Sequence, residues 1–186
     1  LSRTPYVRGT PDHLPPQRRA AHVDGAGETA RGIQGEGSAV LEKVWAAIET
    51  GEDLVVSSPP GAGKTTLVSA LAHRAEAEGR SLTIACPTVH GASVVAEHFT
   101  GTGIASLQGG SMPNVPGVPT VRKGEATTPV VIRTVASCRI GPPDDELMVF
   151  DEAYQTTFAD ALVASSRAGQ VIMVGDPGQI GPVNAL

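Results

Sequence analysis

The chain has 186 residues, enough for one domain that buries its own core without disulfides or metals. Hydrophobic residues make up 40% of it but aromatics only 3%, so the core has to be assembled from small and branched aliphatics. A formal charge of −5 excludes a protein that holds nucleic acid by bulk positive charge, although not one that makes local contacts.

Residues 1–37 are rich in Gly and Pro and carry little apolar periodicity, with five arginines against four acids. They read as a mostly disordered N-terminal arm. Order is expected from near Ser38, where Val40, Leu41, Val44, Trp45 and Ile48 recur at helical spacing and Gly51 is a fitting stop. Asp53–Ser57 is a short apolar run typical of a buried strand. After a Gly-rich turn, Leu67, Leu71 and Ala75 make the apolar stripe of a helix from Lys64 to Glu78 that Gly79 ends. A strand follows over Ser81–Cys86 and a helix over Val89–Phe99. Glycines and prolines break residues 100–129 into loops with room for one short strand. Pro129–Ala136 reads as the next main strand. A surface turn over Pro142 and Pro143 leads to another at Glu146–Phe150. A helix set by Phe158, Ala161, Leu162 and Ser165 and closed by Gly169 precedes a last strand, Gln170–Val174. Continuous apolar strands alternating with helices predict a three-layer α/β/α sandwich around a mostly parallel sheet.

The strongest chemical signal is Ser58-Pro-Pro-Gly-Ala-Gly-Lys-Thr65, which follows a strand and opens a helix. Such a loop binds phosphate. Gly61 and Gly63 permit backbone angles that other residues resist, so that N–H groups from Gly61 to Thr66 point inward at phosphate oxygens. Lys64 supplies a point charge to the β and γ phosphates, and the Thr65 hydroxyl can ligate Mg²⁺. The expected nucleotide contacts are therefore Ser58, Pro59, Pro60, Gly61, Ala62, Gly63, Lys64, Thr65 and Thr66, with ATP and Mg²⁺ as cofactors. A second signal is Met148-Val-Phe-Asp-Glu152, a buried strand that ends in two carboxylates. Paired with the loop, Asp151 would hold Mg²⁺ and Glu152 would orient and deprotonate the attacking water.

Four segments in order, Ser58–Thr65, Ala85-Cys-Pro-Thr88, Asp151-Glu-Ala-Tyr-Gln155 and Gly175-Asp-Pro-Gly-Gln-Ile-Gly-Pro182, resemble the N-terminal motifs of superfamily 1 helicases. One departure is Ser58, where that family usually carries Gly. The resemblance implies a RecA-like ATPase domain that couples nucleotide state to movement along a nucleic-acid strand. It implies catalytic roles for Lys64, Asp151, Glu152 and Gln179, the last sensing the γ-phosphate, with Gly175 and Asp176 shaping its turn. It matches Pro87 and Thr88 to a single-strand contact, although Thr88 equally reads as the cap of the following helix. Gln155 matches its motif, yet Tyr154 and Gln155 also read as the start of a loop. Gln34 is a poor candidate for the adenine-reading glutamine.

The family's second RecA-like domain, which supplies arginines across the cleft, has no counterpart in residues 1–186, and a truncated chain is expected. An arginine finger is typically worth about 10³–10⁵ in rate, so slow turnover and negligible unwinding are expected of this chain alone. A PhoH-like ATPase, and a nucleotide-binding module without motor activity, are the alternatives.

No apolar run approaches the roughly 20 residues that span a bilayer, and residues 1–19 lack the apolar segment of a signal peptide. A cytoplasmic protein with no membrane partner is expected. Cys86 and Cys138 form no Cys-x-x-Cys pair and read as buried reduced thiols. The five histidines show no ligand spacing that suggests zinc. The same resemblance predicts a strand order in which Gln170–Val174 lies between Asp53–Ser57 and Glu146–Phe150, all three parallel.

Overall fold

Alternation along the central strands decides the layering. Leu147 and Val149 join one core while Met148 and Phe150 join another, and Ile172 and Val174 part from Val171 and Met173 in the same way. A strand whose two faces are both apolar has to be covered on both sides.

The computed structural model describes residues 20–24 and 33–178. The elements run β1 (Ala20–Asp24), α1 (Ile33–Glu49), β2 (Asp53–Ser57), α2 (Lys64–Ala77), β3 (Leu82–Cys86), α3 (Val89–Glu97), β4 (Ala105–Gln108), β5 (Thr120–Val121), β6 (Val130–Thr134), α4 (Val135–Ile140), β7 (Leu147–Phe150), a 3-10 turn (Ala153–Gln155), α5 (Phe158–Ala164) and β8 (Gln170–Gly175). Among the described residues the strands form one eight-stranded sheet of order β1-β2-β8-β7-β3-β6-β4-β5. Every named pairing in it is parallel. The larger core, with Trp45, Leu71, Val95 and Phe99, lies under α1, α2 and α3. The smaller, with Val135, Cys138, Ala161 and Ala164, lies under α4 and α5. This is the three-layer α/β/α architecture expected of the chain.

The predicted strand order holds. β8 pairs with β2 through Leu54↔Ile172 to Ser57↔Gly175, and with β7 through Leu147↔Gln170 to Phe150↔Met173. The phosphate-loop strand and the carboxylate strand are therefore one strand apart, and all three deliver their carboxyl ends to the same edge of the sheet, where open α/β sheets place ligands.

Most element ends fall within two residues of expectation, and four differences go further. First, β1 and the first turns of α1 fall inside residues 1–37. The Ala-Ala-His-Val-Asp segment has no strand signature of its own; its parallel pairing with β2, from Ala20↔Asp53 to Asp24↔Ser57, supplies what propensity does not. The other residues read as the arm, 1–19 and 25–32, lie outside the described residues. Second, the apolar run read as a strand over Pro129–Ala136 ends at Thr134. There the Thr134 hydroxyl accepts from the Ser137 amide at 3.2 Å and starts α4. Third, residues 100–129 hold two short strands, β4 and β5, rather than one. Fourth, α5 stops at Ala164, and Gly169 stands instead just before β8, its amide bonded to the Asp145 carbonyl at 2.9 Å.

Candidate active site

The loop after β2 is held at both ends. The Ser58 amide donates to the Gly175 carbonyl at 2.9 Å, tying the loop's entry to the end of β8. At its exit Gly63 stands before α2 with φ +79 and ψ +31, a left-handed conformation that a residue with a Cβ resists. A Cβ there would meet nothing nearer than 3.8 Å, so the need for glycine is conformational and not steric. The first bond of α2 back to the loop runs from the Leu67 amide to the Gly63 carbonyl. The amides of Lys64, Thr65 and Thr66 consequently have no partner one turn earlier in the helix. Pro59 to Gly63 and Thr66 are exposed, Ser58 is buried and Thr65 is half-buried.

Lys64, the first residue of α2, is buried, with 7% of its side-chain surface exposed. Its Nζ donates to the Pro59 carbonyl at 3.5 Å and lies 3.9 Å from Glu152 Oε1. Asp151 follows β7 and is anchored by its amide to the Ala85 carbonyl of β3 at 3.0 Å. Its side chain is buried, and Oδ1 has no hydrogen-bond partner among the described residues. Burial, reinforced by the neighbouring Glu152 charge, lifts the Asp151 carboxyl from 3.8 to about 6, with Lys64 among the groups pulling the other way. Glu152 is the only non-glycine residue with positive φ among the described residues, at φ +50 and ψ +47, and its Oε2 is also buried and unbonded. Left-handed backbone at a side chain of this size is costly and collects at functional sites.

Two carboxylate oxygens left bare beside one lysine are an arrangement that fits a divalent cation. Asp151 Oδ1 is a buried acceptor without a donor, and burial first, then the Glu152 charge, raises its carboxyl.

The third strand end binds these parts together, and its role was not evident from the residues alone. The carbonyl of Gly175 holds Ser58, while a Cβ on Gly175 would lie 2.7 Å from Tyr154 Cδ2 and 3.1 Å from the Ala153 amide nitrogen. Only glycine lets the turn after the carboxylates press against the end of β8. Tyr154 and Gln155 accordingly sit in a 3-10 turn and not in an open loop. Asp176 shapes the next turn as expected, its buried Oδ1 accepting from the Gly178 amide at 2.8 Å. Gln179 lies outside the described residues, as does the side chain of Gln34.

Pro87 and Thr88 follow β3, three strands from β2 and next to β7 in the sheet. Thr88 is exposed, and its hydroxyl accepts from the Gly91 amide at 2.9 Å, so the helix-capping reading is realised. Cys86 and Cys138 are both free and buried. Burial raises both thiols, Cys138 to about 11, which leaves neither reactive near neutral pH.

A family model described as an AAA domain matches residues 41–185. The chain belongs to this AAA domain family. A search of curated proteins returns no match. Among solved structures, the UvsW helicase of bacteriophage T4 superposes with a TM-score of 0.55 at 16% identity, covering 71% of this chain and 49% of that one. The arterivirus nonstructural protein 10 helicase, solved with DNA, gives 0.52 at 23% identity, covering 70% and 30%. A nuclease-deletion mutant of the Type ISP restriction-modification enzyme LlaGI, bound to a DNA substrate mimic, gives 0.58 at 12%, covering 85% and 19%. The AAA domain thus has the helicase-like P-loop ATPase fold and spans less than half the length of each of these structures. Among its described residues no helix is long and apolar enough to cross a membrane.

Proposed function

We propose that this AAA domain binds ATP with Mg²⁺ through Ser58–Thr66 and hydrolyses it, as the nucleotide-driven part of a helicase-like motor. The observation that carries this reading is the meeting of Lys64 with Glu152 at 3.9 Å across the inserted strand β8, with a bare Asp151 oxygen beside them.

In this reading the loop amides and Lys64 bind the β and γ phosphates, and the γ-phosphate replaces Glu152 as the lysine's partner. Glu152, released, orients a water and accepts its proton as the water oxygen bonds to phosphorus and the bond to ADP breaks. Thr65 and Asp151 would hold Mg²⁺, which when bound would neutralise charge on the phosphates. Gln179 senses the γ-phosphate from the turn after β8. Pro87 and Thr88 contact a nucleic-acid strand. Translocation would need a second RecA-like domain acting with this one, and the setting is the cytoplasm.

The test is ATP turnover by the purified chain and by Glu152→Gln. Slow phosphate release is expected from the first, falling by about 10²-fold or more in the second with ATP affinity kept. Equal turnover in the two would contradict the role of Glu152. Absence of turnover in both, with ATP bound, would favour a binding module without motor activity.

A further inference from the structure

A second buried charge without a counter-charge lies away from the phosphate loop. It lies further along the same sheet edge, beside the ends of β4 and β6. Two adjoining cavities of about 300 and 260 Å³ open there and share Lys123, Arg133 and Gly141 in their walls. Arg133, the penultimate residue of β6, is 4% exposed. Its Nη2 donates to the Ser137 carbonyl at 2.9 Å and to Ser137 Oγ at 3.2 Å. Its Nε is buried with no partner, and no carboxylate among the described residues forms an ion pair with it. Lys123 reaches the same place from the loop after β5. Its ammonium lies over Gly141, where a Cβ would collide with Nζ. The carboxylate in these walls, Asp145, accepts from Thr83 Oγ1 at 2.5 Å and pairs with neither cation. Opposite stand Gly109, Gly110 and Ser111, which bring backbone and hydroxyl groups to the wall.

A guanidinium removed from water without a counter-charge is expensive, and folding tolerates it where a ligand completes the site. Two cations converging on one open cavity, with a planar donor set already fixed by Ser137, suit a tetrahedral oxyanion. We propose that Arg133 and Lys123 form a second phosphate site, four strands and roughly 19 Å from the phosphate loop along the sheet edge. It takes a phosphate monoester, a phosphodiester or inorganic phosphate, and it stands on its own residues whatever the loop binds. Thr88 adjoins Val89, which lines the larger cavity, so a nucleic-acid backbone crossing this edge is one source of the phosphate and a free phosphate the other.

The experiment has two arms on the full 186-residue chain. In the first, inorganic phosphate is titrated with Mg·ADP present to fill the loop, and the amide NMR signals of Gly109, Gly110 and Ser111 are followed. In the second, a labelled single-stranded 12-mer is titrated by fluorescence anisotropy at several salt concentrations. The variants are Lys123→Ala and Gly141→Ala, which removes the lysine's resting place through the yielding end of a flexible side chain. Arg122→Ala, an equal charge change at the neighbouring exposed residue, is the control. Saturable shifts are expected, weakened about tenfold by the first two variants and not by the control, with melting unchanged. If the 12-mer weakens in parallel and its salt slope falls by about one, the phosphate belongs to nucleic acid. If only the phosphate arm responds, the ligand is a free phosphate. No response in either arm, or equal losses in Arg122→Ala, overturns the site. Repeating both arms in Lys64→Ala keeps the two assignments separate, because a failure of Mg·ADP to bind counts against the phosphate loop alone.

Discussion

Two buried cations stand on the same edge of the sheet and meet different surroundings. Lys64, at the end of β2, faces Glu152 at 3.9 Å, with Asp151 next in sequence. Arg133, at the end of β6, is bonded to Ser137 and forms no ion pair among the described residues. At the first site Lys64 already has an internal partner that a phosphate has to displace, while Asp151 Oδ1 beside it has none. The second is unbalanced, and a ligand there completes it. The difference is one of ancestry in the chain as well. The parts of the first site come from three strand ends that carry recognisable motifs. The parts of the second come from the end of β6, from loops and from one short helix, none of which carries such a motif.

The first site should break most sharply at Glu152. Glu152→Gln leaves Lys64 without its resting counter-charge and the attacking water without a base. Turnover measured by phosphate release should fall by about 10²–10³-fold while ATP affinity stays level or rises.

Asp151 sharpens the comparison through pH. Its carboxyl is raised from 3.8 to about 6 in the folded protein, so the folded state holds that proton more tightly than the unfolded one. Its contribution to stability is complete below about pH 4 and lost as pH climbs through 6. Ionised at pH 7.5, it costs the ligand-free fold about 3 kcal/mol by linkage. Asp151→Asn should therefore unfold at higher denaturant than the parent at pH 7.5, and the gap should close between about pH 6 and 4. Affinity for Mg·ATP in the parent should weaken as pH drops below about 6, because the proton competes with the metal.

Gly175 joins the phosphate loop to the carboxylate turn, and its replacement tests whether that junction sets the geometry. Gly175→Ala forces a Cβ against Tyr154 and the Ala153 amide. It should cost about 1–3 kcal/mol in chemical denaturation, and it should lower kcat more than it raises KM. The smallest effect is expected at Thr88→Ala, which removes the cap of α3 and should cost about 1 kcal/mol. Parallel loss of oligonucleotide binding would show that the same hydroxyl serves both roles.

Much of the first site was legible in the residues. The loop and the carboxylates follow from local runs whose chemistry is written in adjacent positions, and the order of β2, β8 and β7 was what the resemblance of those runs to a known family implied. What was not legible depends on partners far away in the chain. β1 is a strand because β2 offers it an edge, since Ala20 and Ala21 have little preference for one. α4 begins inside an apolar run because Thr134 caps it, and apolar β-branched residues fit a strand and a buried helix alike. Gly175 reads as a turn residue until Tyr154 is seen against it. Arg133 reads as one more arginine in a strand until Lys123, Gly141 and Ser137 are brought around it by the loops.

The central claim is that the loop over Ser58–Thr66 binds Mg·ATP through Lys64, and calorimetry tests it most directly. Mg·ATP titrated into the parent chain should give saturable binding. The same titration into Lys64→Ala, whose fold is checked by circular dichroism, should show affinity lower by about 10²-fold, in line with the loss of a charge-assisted contact to phosphate. Equal affinity in the two proteins would contradict the assignment.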